Sequence, residues 1–189
     1  MEDNIVNDVI VLYEQKKWKE IGEKFHDHPD RNKLLWVFPS EKDFQFLAGC
    51  VKELRCERML SIGCGSGLLE WMFTEATGYP VAGVEVDNAW WHYKYAPPMF
   101  IPLLFTYPQL GNDVIHALHD TSTALLFCYF NNRPAFNDYL EHFKGNVIVI
   151  IGPGDGKHVH TDPKPFNDVS NEWELFMSQE VRNSGDFIA

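Results

Sequence analysis

Residues Met59 to Met72 read MLSIGCGSGLLEWM, an apolar run that ends in glycine and gives way to a segment of helical character. Three glycines, Gly63, Gly65 and Gly67, stand two residues apart between the two. The pattern predicts a strand, a tight turn and a helix from Leu68 to Thr77, closed by Gly78 and Pro80. Gly63 can turn the chain sharply out of the strand, Gly65 lets the backbone approach a ligand with no Cβ in the way, and Gly67 permits close helix packing. The G-x-G-x-G spacing differs from the G-x-G-x-x-G that seats a pyrophosphate on a helix N-terminus. A ligand without phosphate therefore fits better than a dinucleotide.

Downstream, VAGVEV at Val81 to Val86 predicts a second strand. Glu85 lies at its end, about 20 residues beyond the loop, where a carboxylate can accept hydrogen bonds from both hydroxyls of a ribose. Asp87-Asn88 can cap a helix through Trp90, Trp91 and Tyr95. Consecutive helical residues point about 100° apart, so at most one of Trp90 and Trp91 faces a ligand and the other packs in the core. ALLFCYF at 124 to 130 and NVIVII at 146 to 151 are continuously apolar, with a helical stretch from Pro134 to Phe143 between them. Apolar strands separated by helices predict a parallel sheet covered on both faces.

Upstream, Pro39-Ser40-Glu41 supplies a helix start, with Ser40 as N-cap and Asp43 three residues on. Phe44, Leu47, Val51 and Leu54 then trace one helical face to about Arg55. Residues 4 to 25 show a helical period broken around Gln15 to Lys19, and 26 to 33 are turn-like. The expected organisation is a helical extension over residues 1–35 and one α/β domain over 36–189.

Composition narrows the functions. The 189 residues are 45% apolar, which predicts a globular domain with a sizeable core. Sixteen Lys and Arg against 27 Asp and Glu give a formal charge of −11, with no basic block to track phosphates, so nucleic acid is disfavoured as a partner. The long nearly uncharged tract from Ala96 to Asn112 carries Pro97, Pro98, Pro102 and Pro108; it predicts a buried or partly buried irregular segment, not a membrane span. Cys50, Cys56, Cys64 and Cys128 lack C-x-x-C spacing and no secretory signal opens the chain, so an intracellular, cytoplasmic protein with free thiols is expected.

MLSIGCGSG, VAGVEVD, ALLFCYFNN and NVIVIIGPGDG, taken in order, resemble the successive motifs of class I S-adenosylmethionine-dependent methyltransferases over roughly residues 36 to 180. The resemblance implies a Rossmann-like fold: a three-layer αβα sandwich around a seven-stranded, mostly parallel sheet with an antiparallel final strand. It also implies S-adenosylmethionine as cofactor and S-adenosylhomocysteine as product. The segment Ser61 to Gly67, including Gly63, Cys64 and Gly65, would wrap the methionine part; Glu85 would hold the ribose; Val86 and Asp87 would flank the adenine. The methyl acceptor would be a small molecule or a protein.

Two departures stand against the family pattern. Where many amino- or nucleobase-methylating members carry Asp or Asn followed by two prolines and an aromatic after the fourth strand, this chain reads Cys128-Tyr129-Phe130-Asn131-Asn132. Asn131 or Asn132 can still accept a hydrogen bond from an amine substrate. At the other end, EWELFMSQEV at 172 to 181 reads as a strand, yet only eight residues follow it, so an abbreviated last strand is expected.

Three readings of function follow: an active methyltransferase, a catalytically silent relative acting as cofactor sensor or protein-binding module, and a metal-dependent hydrolase. The third rests on His158-x-His160-x-Asp162 and His116-x-x-His119-Asp120, which would pair ligands on a strand and on a helix face. The glycines and proline around the first of these favour a loop, where His158 could instead border the substrate pocket as a general base.

Overall fold

A computed structural model describes residues 5–166 and 169–189. Its centre is a seven-stranded sheet made of β1 (Arg58–Ile62), β2 (Val81–Glu85), β3 (Leu103–Phe105), β4 (Thr123–Cys128), β5 (Ile148–Pro153), β6 (Gln179–Val181) and β7 (Asp186–Ile188). The strands lie in the order β3-β2-β1-β4-β5-β7-β6. The first five run parallel to one another, and β7 runs antiparallel to both β5 and β6. The order reverses between β1 and β4, and at that switch point the connections that follow the two strands leave their carboxyl ends towards opposite faces of the sheet, to α4 (Leu68–Thr77) and α7 (Arg133–His142).

Successive side chains of a strand point to opposite faces, and the core divides accordingly. Met59, Ala124, Leu126, Val149 and Ile151 pack on one face with α1 (Ile5–Glu14), α2 (Trp18–Phe25), α3 (Glu41–Glu53) and α4 (Leu68–Thr77). Leu60, Ile62, Val84, Leu125 and Phe127 pack on the other with α6 (Asn112–His119) and α7 (Arg133–His142). The result is the expected αβα sandwich with a mostly parallel sheet. Ile5, Val9, Ile21 and Phe25 of the N-terminal helices belong to the same core as Phe44, Met72 and Phe73.

Local chemistry explains the element ends. Ser40 accepts from the Asp43 backbone N–H while the Asp43 carboxylate accepts from the Ser40 N–H, a reciprocal capping box at the start of α3. The break between α1 and α2 falls where expected, with Lys16 in the left-handed region at φ +57°. Gly78, also left-handed at φ +72°, closes α4.

Two expectations need correcting. The Ala96–Asn112 tract is not wholly irregular: three of its residues form β3, because β2 offers Gly83, Val84 and Glu85 as parallel partners for Leu103, Leu104 and Phe105. The segment 172–181 is a strand only over Gln179–Val181, since its neighbour β7 has three residues and pairing stops there. Leu175, Phe176 and Met177 are left exposed. The last strand, β7, is abbreviated to three residues as expected, and Arg182, Asn183 and Gly185 take positive φ in the tight turn that joins it to β6. Among the described residues no helix stands between β5 and β6, and none is long and apolar enough to cross a membrane.

Candidate functional site

The loop between β1 and α4 holds Gly63, Gly65 and Gly67 at φ +65°, +62° and +75°. Each is a conformation that side chains with a Cβ adopt at a cost, and the surroundings differ sharply. A Cβ on Gly67 would meet Ile101 Cγ1 at 2.3 Å, whereas one on Gly65 would find open space. Gly67 therefore serves close packing, and Gly65 faces room for a ligand.

That room is a cavity of about 260 Å³ at the switch point. Its floor is the loop, Gly63 to Ser66; Leu69 and Glu70 of α4, Trp91, and Cys128 and Tyr129 at the end of β4 form its sides. Residues Asn32 to Trp36, from the segment that precedes α3, close over it. A smaller cavity of about 160 Å³ lies between α3 and residues 173–177 and shares no lining residue with the loop.

Glu85 sits at the end of β2 with its carboxylate turned to the loop: Oε1 accepts from the Gly65 N–H at 2.6 Å, and Oε2 from the Val86 N–H at 3.3 Å. The side chain of Trp91 makes a further hydrogen bond to it. Burial raises its pKa above the ordinary value, and these donors pull it back down. Gly65 and Trp91 both line the cavity, so Glu85 is coupled to it through two of its walls. Trp90, by contrast, is 47% exposed and not core as expected; of the tryptophan pair, Trp91 is the one that faces inward.

The other residues singled out from sequence fall in varied places. Cys64 lines the cavity, and its thiol is held far above its usual range by burial and by Glu70 and Glu85 nearby. Ser61 is fully buried beneath the loop, and its hydroxyl donates to Glu70 Oε1 at 2.6 Å. Val86 and Asp87 are exposed beyond Glu85; the Asp87 carboxylate caps α5 (Asn88–Trp91) by accepting from the Trp90 N–H. Asn132 accepts from the Ala135 N–H as the cap of α7, and Asn131 pairs with Asp162 in an isolated bridge; neither lines the cavity.

The metal arrangement does not form. His158 and His160 are exposed in the loop after β5, and Asp162 is ion-paired with Arg133. His116 and His119 lie on α6, which leads into the amino end of β4, while the 158–162 loop follows the carboxyl end of β5. Among the described residues no three His, Cys, Asp or Glu side chains gather as a metal site.

Sequence reasoning missed Glu70, Trp36 and Tyr129 of the cavity. Glu70, 1% exposed, is pushed up to about 7, chiefly by burial, and its Oε2 has no hydrogen-bond partner among the described residues. The Ser66 hydroxyl is likewise buried without a partner. Tyr129 holds a left-handed φ of +51°, a strain that the surroundings must maintain. Its hydroxyl donates to the buried Asp186, which Lys157 also pairs, and its ring stacks on Trp36 with centroids 5.6 Å apart. One signal was present for Glu70: it is the lone acid in the apolar run Leu68 to Phe73.

No protein-family model matches the chain, and no curated protein matches it significantly. Solved structures align with the chain at low identity. A Staphylococcus aureus chain assigned as a caffeoyl-CoA O-methyltransferase aligns with a TM-score of 0.41 and 13% identity, over 77% of this chain and 71% of its own. A SAM-dependent methyltransferase from Archaeoglobus fulgidus gives 0.38 and 17%, over 61% and 53%. The plantazolicin methyltransferase BpumL, solved with SAH, gives 0.34 and 15%, over 79% and 62%. This chain thus spans less than two thirds of the latter two. The chain's own strand order, five parallel strands with β7 inserted antiparallel between β5 and β6, is the firmer ground: it has the class I methyltransferase fold.

Proposed function

We propose that the cavity takes the methionine end of S-adenosylmethionine and that the protein transfers its methyl group to a small-molecule or protein acceptor. The observation that carries this reading is the 2.6 Å hydrogen bond from Gly65 to Glu85. It joins a glycine loop without pyrophosphate spacing to a carboxylate at the end of the adjacent strand, beside a cavity at the switch point. Adenosine with a phosphate-free 5′ linkage meets those requirements; a nucleotide would bring phosphate charge to a site bordered by Glu70 and Glu85.

In this reading Gly63, Cys64 and Gly65 run along the methionine part, and Ser61 supports them from below. Glu85, with acceptor capacity beyond the bonds it already makes, receives the ribose hydroxyls. Val86 and Asp87, at the exposed end of β2, flank the adenine. The cofactor supplies, when bound, an activated methyl group on a sulfonium leaving group. What the chain contributes is position: Trp36 and Tyr129 wall the cavity, and holding an acceptor at near-attack distance supplies most of the acceleration such a reaction requires.

One observation favours the silent reading. The asparagines after β4 are spent on capping and bridging, and the Tyr129 hydroxyl is engaged by Asp186, so none of them is held ready to orient an acceptor. Incubation with methyl-labelled S-adenosylmethionine and cell extract separates the two. Label in a product that disappears with Glu85→Ala identifies an enzyme. Binding of S-adenosylhomocysteine without any labelled product identifies a sensor, and no binding by the folded protein refutes the enzyme and the sensor alike, leaving the protein-binding module.

A further inference from the structure

The smaller cavity, of about 160 Å³, lies where β7 stops. Ala189 and Ile150 exchange both backbone hydrogen bonds, at 2.8 and 2.9 Å, and on the other side of β7 Gln179 stands opposite Ile188. Continued three residues past Ala189, the two registers set Val149, Ile148 and Val147 opposite Met177, Phe176 and Leu175. All six line the cavity, which is a gap in the sheet on the line of β7. Both sides of the gap carry unpaired backbone. Val147 and Ile151 bond the β4 side through their carbonyls, so the groups of Ile148 and Ile150 aim at the opposite edge. Ile150 meets Ala189 there, and Ile148 meets no partner among the described residues. Across the gap the chain runs from Glu174 to Ser178 without a turn or bend and makes no backbone hydrogen bond among the described residues. A sheet edge in this state is a template for a further strand.

We propose that the gap is a docking site for an extended segment of a partner protein, which enters antiparallel to β5 and pairs with Ile148 on one side and residues 175–177 on the other. The walls set its chemistry. Side chains alternate across a strand, so the first and third inserted residues share the face of Ile188 and meet Phe46, Cys50 and Leu54 of α3. The second shares the face of Ile148 and meets Trp173. All three positions are apolar and suit β-branched side chains. The fourth falls between Asn146 and Glu174, and Glu53 of α3 adds its charge beside Cys50, so a Lys or Arg fits there. Among the described residues no Lys or Arg lines this cavity to compete with it. The site shares no lining residue with the glycine-loop cavity, and it stands whether or not the adenosyl reading does.

The probe is the peptide amide Val-Ile-Val-Lys, titrated to millimolar concentration into the full chain while tryptophan emission is followed, with Trp173 reporting from the wall. Saturable binding is expected. N-methylation of the peptide's Ile removes the N–H aimed at the Ile148 carbonyl and should weaken binding about tenfold. Glu174→Lys, on an exposed residue, should weaken Val-Ile-Val-Lys about threefold to tenfold and strengthen Val-Ile-Val-Glu by a similar factor. Appending the same four residues directly after Ala189 tests the geometry at high effective concentration. The melting temperature should rise by about 3 °C or more, whereas Val-Pro-Val-Lys, with no N–H to donate at its second position, should give no rise. No saturation by the peptide, or binding indifferent to N-methylation, overturns the strand. An extension that stabilises beside a peptide that does not bind shows a gap filled from within the chain and overturns the partner. A dimer seen by light scattering that the peptide does not displace assigns the edge to a second copy and overturns it equally.

Discussion

Gly65 and Gly67 share a left-handed backbone, yet a methyl group added to each would meet different surroundings. At Gly65 an alanine adds only conformational strain, about 1–2 kcal/mol. At Gly67 the same strain is joined by a 2.3 Å clash with Ile101, and overpacking of this kind costs a further ~1–3 kcal/mol. Urea denaturation should therefore show Gly67→Ala losing clearly more stability than Gly65→Ala, while Gly65→Ala suffers more in ligand affinity; equal losses in the two assays would undo this division of labour. Glu70 adds a pH signature. Its folded-state pKa near 7 lies above the ordinary 4.5, so folding favours the neutral acid, and stability is withdrawn as pH rises through that window. The full effect is on the order of 3 kcal/mol. Without ligand, Glu70→Gln should match the wild type in melting temperature at pH 4.5 and exceed it at pH 8. A gap that closes with rising pH would show that the acid is not buried as described.

At the scale of elements, α3 shows how a local signal becomes tertiary structure. Ser40 and Asp43 form the capping box, and Asp43 Oδ1 also accepts from Gln179 Nε2 at 2.7 Å, tying the start of the helix to β6. Ser40→Ala should cost about 1 kcal/mol, the usual value of a cap. Asp43→Ala removes the cap's second half and leaves the half-buried Gln179 amide without this partner, and chemical denaturation should put its cost at about twice that. Equal costs would mean the link to β6 contributes nothing. The cap was legible in the sequence because it spans four residues; the link to Gln179 was not, because 136 residues separate the partners. Strand boundaries follow the same logic. Polar and apolar residues alternate in part from Glu172 to Val181, but alternation describes a strand only where a neighbour supplies hydrogen bonds, and β7 ends the pairing at Gln179. β3 is the converse, three residues between prolines that become a strand because β2 lies alongside.

At the scale of the molecule, the parts of the site that were readable are those contained in one segment. The glycine loop and Glu85, at the ends of neighbouring strands, could be matched by spacing alone. Trp36, Glu70 and Tyr129 meet the loop only because α4, β4 and the segment before α3 converge on the switch point, and no local pattern carries that convergence. The histidine clusters illustrate the opposite case: suggestive spacing on elements that the topology sends to opposite ends of the sheet. The central claim is that the crevice between β1 and β4 binds an adenosyl ligand through the glycine loop and Glu85. Calorimetric titration of the full chain with S-adenosylhomocysteine, with NAD as the phosphate-bearing comparison, tests it most directly. The account predicts saturable binding of S-adenosylhomocysteine at one site per chain, weakened about 10- to 100-fold by Glu85→Ala, and no binding of NAD. Absence of binding by a protein that melts cooperatively, or affinity unchanged in Glu85→Ala, would contradict it.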